Sequence, residues 1–417
     1  MAMIREAPPM RPSKQAPNLS RHTGMIGLSL LYALLAGCSL PFGQNSTPQP
    51  VILIVTATPD PRAQAPTSNP ISVPSPVSAT PALGDTATAT PAPTVGGLLA
   101  RVKARGKLIC GTNADLPGFG FYDNVRSRWS GFDVDFCRAV AAAIFGNSDA
   151  IEFVALNTSG QNERFDAVRS GKVDVLFRNT TWTLGRDVAQ LAFGPTTFHD
   201  GQSFMVHAAD KVASLNDLAG KKICVARGTT SEQNLNDDFA ARGIAFTPEL
   251  YDDENQLYPA YDSGLCDAVT SDSSQLSSKR QTLAKPQDNV ILGDRISREP
   301  LGPAFVENDE QWRDVVSWTV FATMYAEELR VDQANVDQMK LNSTDPRVRR
   351  LLGLEGDFGT KLGLSNDFGY QIISKMGNYA DIYNRNLGPS TPFALERGPN
   401  KAWNLGAGGV LASPPFR

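Results

Sequence analysis

The chain has 417 residues, of which 41% are hydrophobic and 20% charged, with a formal net charge of -4. Such a composition belongs to a globular protein long enough for more than one core. A mildly acidic chain also lacks the basic footprint of a nucleic-acid binder, so no nucleic-acid partner is expected.

At the N-terminus, Arg5, Arg11, Lys14 and Arg21 precede an apolar run, Met25 to Ala36. A positive segment followed by an apolar one too short to span a bilayer reads as a secretory signal. The run ends in "LAGC", and small residues directly before Cys38 resemble the lipobox of bacterial lipoproteins. Residues 1–38 are therefore expected to be a signal peptide whose Cys38 carries lipid, anchoring the protein to a membrane without spanning it. The expected location is extracytoplasmic, at the periplasm or cell surface. Residues 46–95 hold no aromatic residue and are rich in Pro, Thr, Ala and Ser. Such a segment cannot offset its ordering entropy, so 39–96 is read as a tether. The apolar Val51–Val55 run inside it has no account.

The folded part, from 97 onward, alternates strand and helix patterns. "KLICGTN" (107–113) is a short apolar run, and "FDVDFCRAVAAAIFG" places Phe132, Phe136, Val140 and Ala143 at helical spacing with Asp133 and Asp135 in the first turn. "IEFVAL" (151–156), "NERFDAVRSG" and "KVDVLF" (172–177) then read as strand, helix and strand. This alternation predicts α/β layers with mostly parallel strands. The form A-x-x-S-G-x-x-D recurs in "AVRSGKVDV" (167–175) and "AYDSGLCDA" (260–268), each closing a helix and opening a strand. The echo predicts two lobes: lobe 1 over 97–206, lobe 2 over 207–296, and a return to lobe 1 with a C-terminal helical extension over 297–417. Two chain crossings make a two-strand hinge suited to closure on a ligand.

Ligands of open α/β sheets bind beyond the carboxyl ends of strands. Polar clusters fall there: "RNTTWTLGRD" after Phe177, "RGTTSEQNL" after Ala226 and "SDSSQL" after Thr270. The first two supply hydroxyls, helix-start N–H groups and arginine, which suit an anion. The third supplies Asp272, which suits a cation. Anion and cation sites on facing lobes describe a zwitterion. Each element also has a plainer reading, with Arg186 a solvated helix residue and Thr229, Thr230 and Asp272 helix caps.

The motifs "LPGFGFYDN", "GFDVDFCRAVAAAIFG", "VDVLFRNTTWTLGRD", "GTTSEQNL", "EPLGPAF", "VVSWTVFA", "RLLGLEG", "LGLSNDFGY", "GNYADIYNRNLG" and "LERGPN" run through nearly all of 100–417. They resemble the solute-binding proteins of polar amino-acid ABC transporters, and within them the general L-amino-acid-binding subfamily. The resemblance implies the type II periplasmic-binding-protein fold, closing over a free L-amino acid and delivering it to a membrane permease, with no enzyme activity, cofactor or metal. It places Thr181 and Arg186 on the α-carboxylate, helped by Asn179, Thr229 and Thr230, and Asp272 on the α-ammonium. Leu116 and Phe119 would flank the side chain. Asp115 and "TSDSSQL" depart from the family pattern where side chains are read.

Cys38 aside, the cysteines are Cys110, Cys137, Cys224 and Cys266, an even number that suits disulfides in an exported domain, with buried thiols the alternative. Pairing within lobes is expected: Cys110–Cys137 tying the first strand to the first helix, and Cys224–Cys266 joining two strands of the second lobe. A monomer is expected. The rival classes are a dehydratase-type enzyme or a ligand sensor on the same fold. General acid–base work most often uses histidine, and His199 and His207, the histidines of the folded part, flank the crossover instead of the strand-end clusters.

Overall fold

The computed structural model describes residues 97–160 and 163–417. The signal segment, Cys38, the 39–96 tether and the Val51–Val55 run lie outside the described residues.

Two five-stranded sheets organise the chain. The first has the order Ile151–Ala155, Leu108–Thr112, Val175–Leu176, Ala304–Val306, Leu191–Phe193. The second has the order Thr247–Tyr251, Lys222–Ala226, Ala268–Asp272, Gln202–His207, Asn289–Ile291. In each, the leading strands pair in parallel. The expectation of mostly parallel strands holds: in each sheet four of the five strands run the same way, and one is antiparallel to both neighbours. These are Ala304–Val306 in the first and Gln202–His207 in the second. Both come directly from a chain crossing, without the helical crossover that a parallel partner requires. The crossings themselves, Phe198–Asp200 and Glu299–Leu301, pair antiparallel as a separate two-stranded sheet. That pair is the hinge between the lobes.

Side-chain alternation builds a core on each face of both sheets. Phe204, Val206, Ile223 and Val225 enter one core, while Met205, Cys224 and Val269 between them enter another. In the first sheet Leu108, Cys110 and Val175 face one core, and Leu176, Leu191 and Phe193 face the other. This is the period of two expected of strands covered on both sides.

Phe132–Phe145 is buried along nearly its whole length, lying between the first sheet and the C-terminal helices. It starts at Gly131, whose φ of 132° and 2.1 Å approach of a notional Cβ to the Phe119 carbonyl oxygen leave room for glycine alone. The 19-residue helix Glu310–Glu328 runs behind it, and its Trp312 indole N–H donates to the Asp174 carbonyl at 3.0 Å. The chain end folds back on this helix: Phe416 stacks on Tyr325 at 5.3 Å, and Arg397 grips Glu327 through two bonds of 2.8 and 2.9 Å. Disulfides join Cys110 to Cys137 and Cys224 to Cys266, within lobes. Cys266 lies in the turn just before the strand Ala268–Asp272, so the second bridge joins a strand to a turn and not to a second strand.

Asp133, in the first turn of Phe132–Phe145, accepts the Asn179 backbone N–H at 2.8 Å, and burial pushes its carboxyl up to about 7. A carboxyl with a raised value in the fold binds its proton more tightly there than in the unfolded chain. Its contribution to stability is present at low pH and is lost as pH rises through about 7. Asp133→Asn, which keeps an acceptor for Asn179, is expected to raise the melting temperature at pH 8 and leave it unchanged near pH 4. An equal change at both values would show that the carboxyl does not titrate in the fold.

Candidate functional site

Between the two sheets, where their strands end, lies a cavity of about 30 Å³. It is lined from lobe 1 by Thr158, Arg164, Asn179, Thr181 and Arg186, and from lobe 2 by Thr229, Thr230, Glu254, Tyr258, Asp272 and Gln275, among others. The lobes are shut over it by polar bonds: Asn179 Nδ2 to Gln275 Oε1 (2.8 Å), Thr158 Oγ1 to Glu254 Oε1 (3.2 Å), Ser159 Oγ to the Asp252 carbonyl (2.6 Å) and Lys279 Nζ to the Asp115 carbonyl (2.8 Å). Such polar bonds can be exchanged for bonds to water when the lobes part.

Asp272 is 6% exposed and ends the strand Ala268–Asp272. It precedes the helix Ser273–Arg280 but makes no side-chain cap bond, so the capping reading is set aside. Burial, then the carboxylates of Asp200 and Glu299, hold its carboxyl well above the usual carboxylate range, against the pull of Arg186 and Arg164. A buried carboxylate without a bonded cation is costly. An ammonium in the cavity would supply what is missing.

The opposite sign comes from lobe 1. Arg186 donates from Nη1 to the Thr181 carbonyl at 2.7 Å, which fixes its guanidinium at the cavity wall. Arg164 opens the helix Arg164–Arg169, is 5% exposed, and its Nε has no hydrogen-bond partner. Both guanidinium carbons lie near the Phe165 ring, at 4.8 Å for Arg164 and 5.2 Å for Arg186. The ring face softens the repulsion of two close cations. Burial, then the cations of Arg178 and Arg186, lower the Arg164 value well below the arginine range. This side of the cavity is poised for anions.

The other expected residues divide. Thr181 and Thr230 line the cavity, Thr230 at the first position of the helix Thr230–Arg242. Thr229 does cap that helix, its hydroxyl accepting from Glu232 N at 3.2 Å, and so its side chain is committed. Asn179 closes the lobes through Gln275 and has a φ of 28°. Leu116 and Phe119 require a correction. They are 0% and 1% exposed, belong to the lobe 1 core, and do not line the cavity; Phe119 packs against Phe132 and Phe198. Arg164, Glu254, Tyr258 and Gln275 were not singled out from the sequence. Arg164 sits inside a segment that reads as an ordinary amphipathic helix, and only its burial marks it. His199 and His207 lie outside the cavity, His207 stacked on Tyr261 at 4.5 Å.

The cavity is tied to the hinge by charge. Asp200 and Glu299 stand directly opposite each other on the crossing strands. Glu299 is 3% exposed and its Oε2 has no partner, while Oε1 accepts from Asn234 and Ser297. Burial raises the Asp200 carboxyl, opposed by bonds from Ser274 and Gly201 and by Arg295. Like charges close together repel, and with burial this favours protons on the Asp200 and Asp272 carboxyls. A bound ammonium competes with those protons. Ligand affinity is thus expected to fall as pH is lowered, with proton release on binding. Calorimetry in buffers of different protonation enthalpy measures that release, and its absence across the pH range in which the protein is folded would contradict the coupling.

Residues 108–332 match the family of bacterial extracellular solute-binding proteins, family 3. The chain is 46% identical over 322 residues to the general L-amino acid-binding periplasmic protein of Rhizobium johnstonii, covering 76% of this chain and 92% of that one. It is 44% identical over 317 residues to the glutamate/glutamine/aspartate/asparagine-binding protein of Rhodobacter capsulatus, with 76% and 92% covered. Among solved structures, an ABC transporter periplasmic binding protein from Brucella ovis with glutathione bound is similar at a TM-score of 0.74 and 44% identity, covering 77% of this chain and 100% of that one.

Proposed function

From the premise that this chain belongs to the family 3 bacterial extracellular solute-binding proteins, we propose that it captures free L-amino acids in the interlobe cavity and delivers them to an ABC transporter permease. The observation that carries this reading is Asp272, a buried carboxylate without a bonded partner, on the cavity wall across from Arg164 and Arg186. An α-ammonium on Asp272 and an α-carboxylate on Arg186, Thr181 and the Thr230 helix start satisfy both charges at once. The unpartnered Arg164 Nε then favours side chains ending in carboxylate or carboxamide. The Rhodobacter relative, named for glutamate, glutamine, aspartate and asparagine, supports that preference.

Capture proceeds by opening at the Phe198–Asp200 and Glu299–Leu301 crossing, entry of the zwitterion, and closure through the Asn179–Gln275 and Thr158–Glu254 bonds. Closure removes water, which strengthens both charge contacts. The "LAGC" motif supports lipidation of Cys38, and with it a membrane anchor that keeps the captured amino acid beside the permease. Residues 97–206 and 297–417 form lobe 1 in this reading and 207–296 form lobe 2.

Calorimetric titration of the purified protein with each natural L-amino acid tests the reading. Binding of several is expected, with acidic and amide side chains tightest. Arg164→Met should reduce that preference about tenfold or more while leaving small neutral amino acids nearly unaffected, as expected for the loss of a charge-assisted bond. No binding by any amino acid would refute the function.

A further inference from the structure

A second recess, with about 980 Å³ of space, lies beside the hinge and shares no residue with the amino-acid cavity. Both chain crossings line it, Phe198 to Gly201 on one and Ser297 and Arg298 leading into the other. Lobe 2 contributes the helix Ser273–Arg280 and the segment 291–296. The C-terminal extension contributes Phe393, Leu395 and their neighbours. Asn400 fastens that extension to the crossing: its Oδ1 accepts the His199 N–H at 2.6 Å, and its Nδ2 donates to the His199 carbonyl at 3.0 Å.

Three further guanidiniums on this lining form no ion pair among the described residues. Arg295 is bonded only to neutral oxygens, the backbone carbonyls of 292–294 and the Ser273 hydroxyl. Arg298, exposed, and Arg280, half-buried, make no side-chain hydrogen bond among those residues. Arg397 is already committed to Glu327. Of the two carboxyls on the lining, Asp200 is bonded by the Gly201 and Ser274 N–H groups at 2.8 and 3.1 Å, which leaves the exposed Glu396. A concave surface with an excess of one charge gathers ions of the other.

We propose that this recess is a second ligand site, for an organic dicarboxylate, whose occupancy favours closure of the lobes. Guanidinium groups pair with carboxylates in a planar fork. The half-buried Ile291, Ile296, Phe393 and Leu395 on the same lining suit a carbon skeleton more than a bare inorganic ion. Arg280 stands on the lobe 2 helix and Arg298 on the returning crossing, so an anion that takes both spans the hinge. A ligand matched to the recess of the closed form binds that form better and shifts the lobes toward it. By linkage, each ligand then tightens the other by the same factor.

The test titrates the protein, already saturated with its tightest-binding L-amino acid, with isophthalate, benzoate and inorganic phosphate at constant ionic strength. Filling the first cavity beforehand keeps isophthalate away from Arg186. Saturable isophthalate binding is expected, about tenfold or more tighter than that of benzoate or phosphate. Arg280→Ala and Arg298→Ala should each weaken isophthalate about tenfold and leave amino-acid affinity in its absence within about twofold of wild type. Neither side chain is bonded within the fold, so both variants should melt as the wild type does. With isophthalate present, the amino acid should bind about fivefold tighter or more. No saturable binding, equal affinity for phosphate and isophthalate, or binding untouched by both variants would overturn the site. An amino-acid affinity unmoved by isophthalate would overturn its link to closure. All of these failures leave amino-acid capture intact, and should no amino acid bind, titration of the ligand-free protein with isophthalate still decides the site.

Discussion

Asp272→Asn is expected to abolish measurable amino-acid binding while raising the melting temperature of the ligand-free protein at neutral pH. Asparagine keeps the shape of the site but leaves the ligand's ammonium without a countercharge in a closed, water-poor cavity. Breaking a buried charge pair from one side costs roughly 3–5 kcal/mol, about two to four decades in affinity. The stability change has the opposite sign for a separate reason. Without ligand, the Asp272 carboxylate is buried beside Asp200 and Glu299 and has no bonded cation. In the fold that carboxyl holds a proton which the unfolded chain releases at neutral pH, and asparagine removes this cost. Paired measurements, calorimetry for affinity and a thermal melt for stability, therefore move apart. Loss of both together would indicate a structural residue.

Arg186→Ala is expected to be as damaging, and Arg186→Lys less so. The guanidinium is held by Nη1 on the Thr181 carbonyl at 2.7 Å, leaving its remaining donors for a carboxylate. Alanine removes the anion contact and leaves a buried α-carboxylate with Thr181, Thr230 and Arg164 alone. Lysine retains a charge but cannot bond Thr181 and hold a carboxylate in a planar fork at once. Binding by Arg186→Ala within about tenfold of wild type would shift the carboxylate site to Arg164.

Much of this arrangement was legible in the sequence, because strand ends carry signals that composition alone does not. Apolar runs closing in polar clusters mark Thr181, Arg186, Thr230 and Asp272, and these four residues line one cavity. The repeated Ser-Gly motif announced two sheets, and the two crossings announced a hinge. What stayed hidden depends on three-dimensional burial. Arg164 looks like any charged helix residue until the lobe folds over it. Leu116 and Phe119 sit in a segment that reads as cleft lining, yet their side chains fill the lobe 1 core. The opposed pair Asp200 and Glu299 is separated by nearly a hundred positions and meets only through strand register.

The central claim is that one cavity reads both charges of an amino acid's backbone. The most direct measurement is a calorimetric comparison of the tightest-binding L-amino acid with its N-acetyl derivative and its decarboxylated amine. Acetylation removes the ammonium that Asp272 faces, and decarboxylation removes the anion that Arg186 faces. The account predicts binding of the amino acid and no measurable binding of either derivative. Retention of the amine or of the N-acetyl form at near-equal affinity would contradict it.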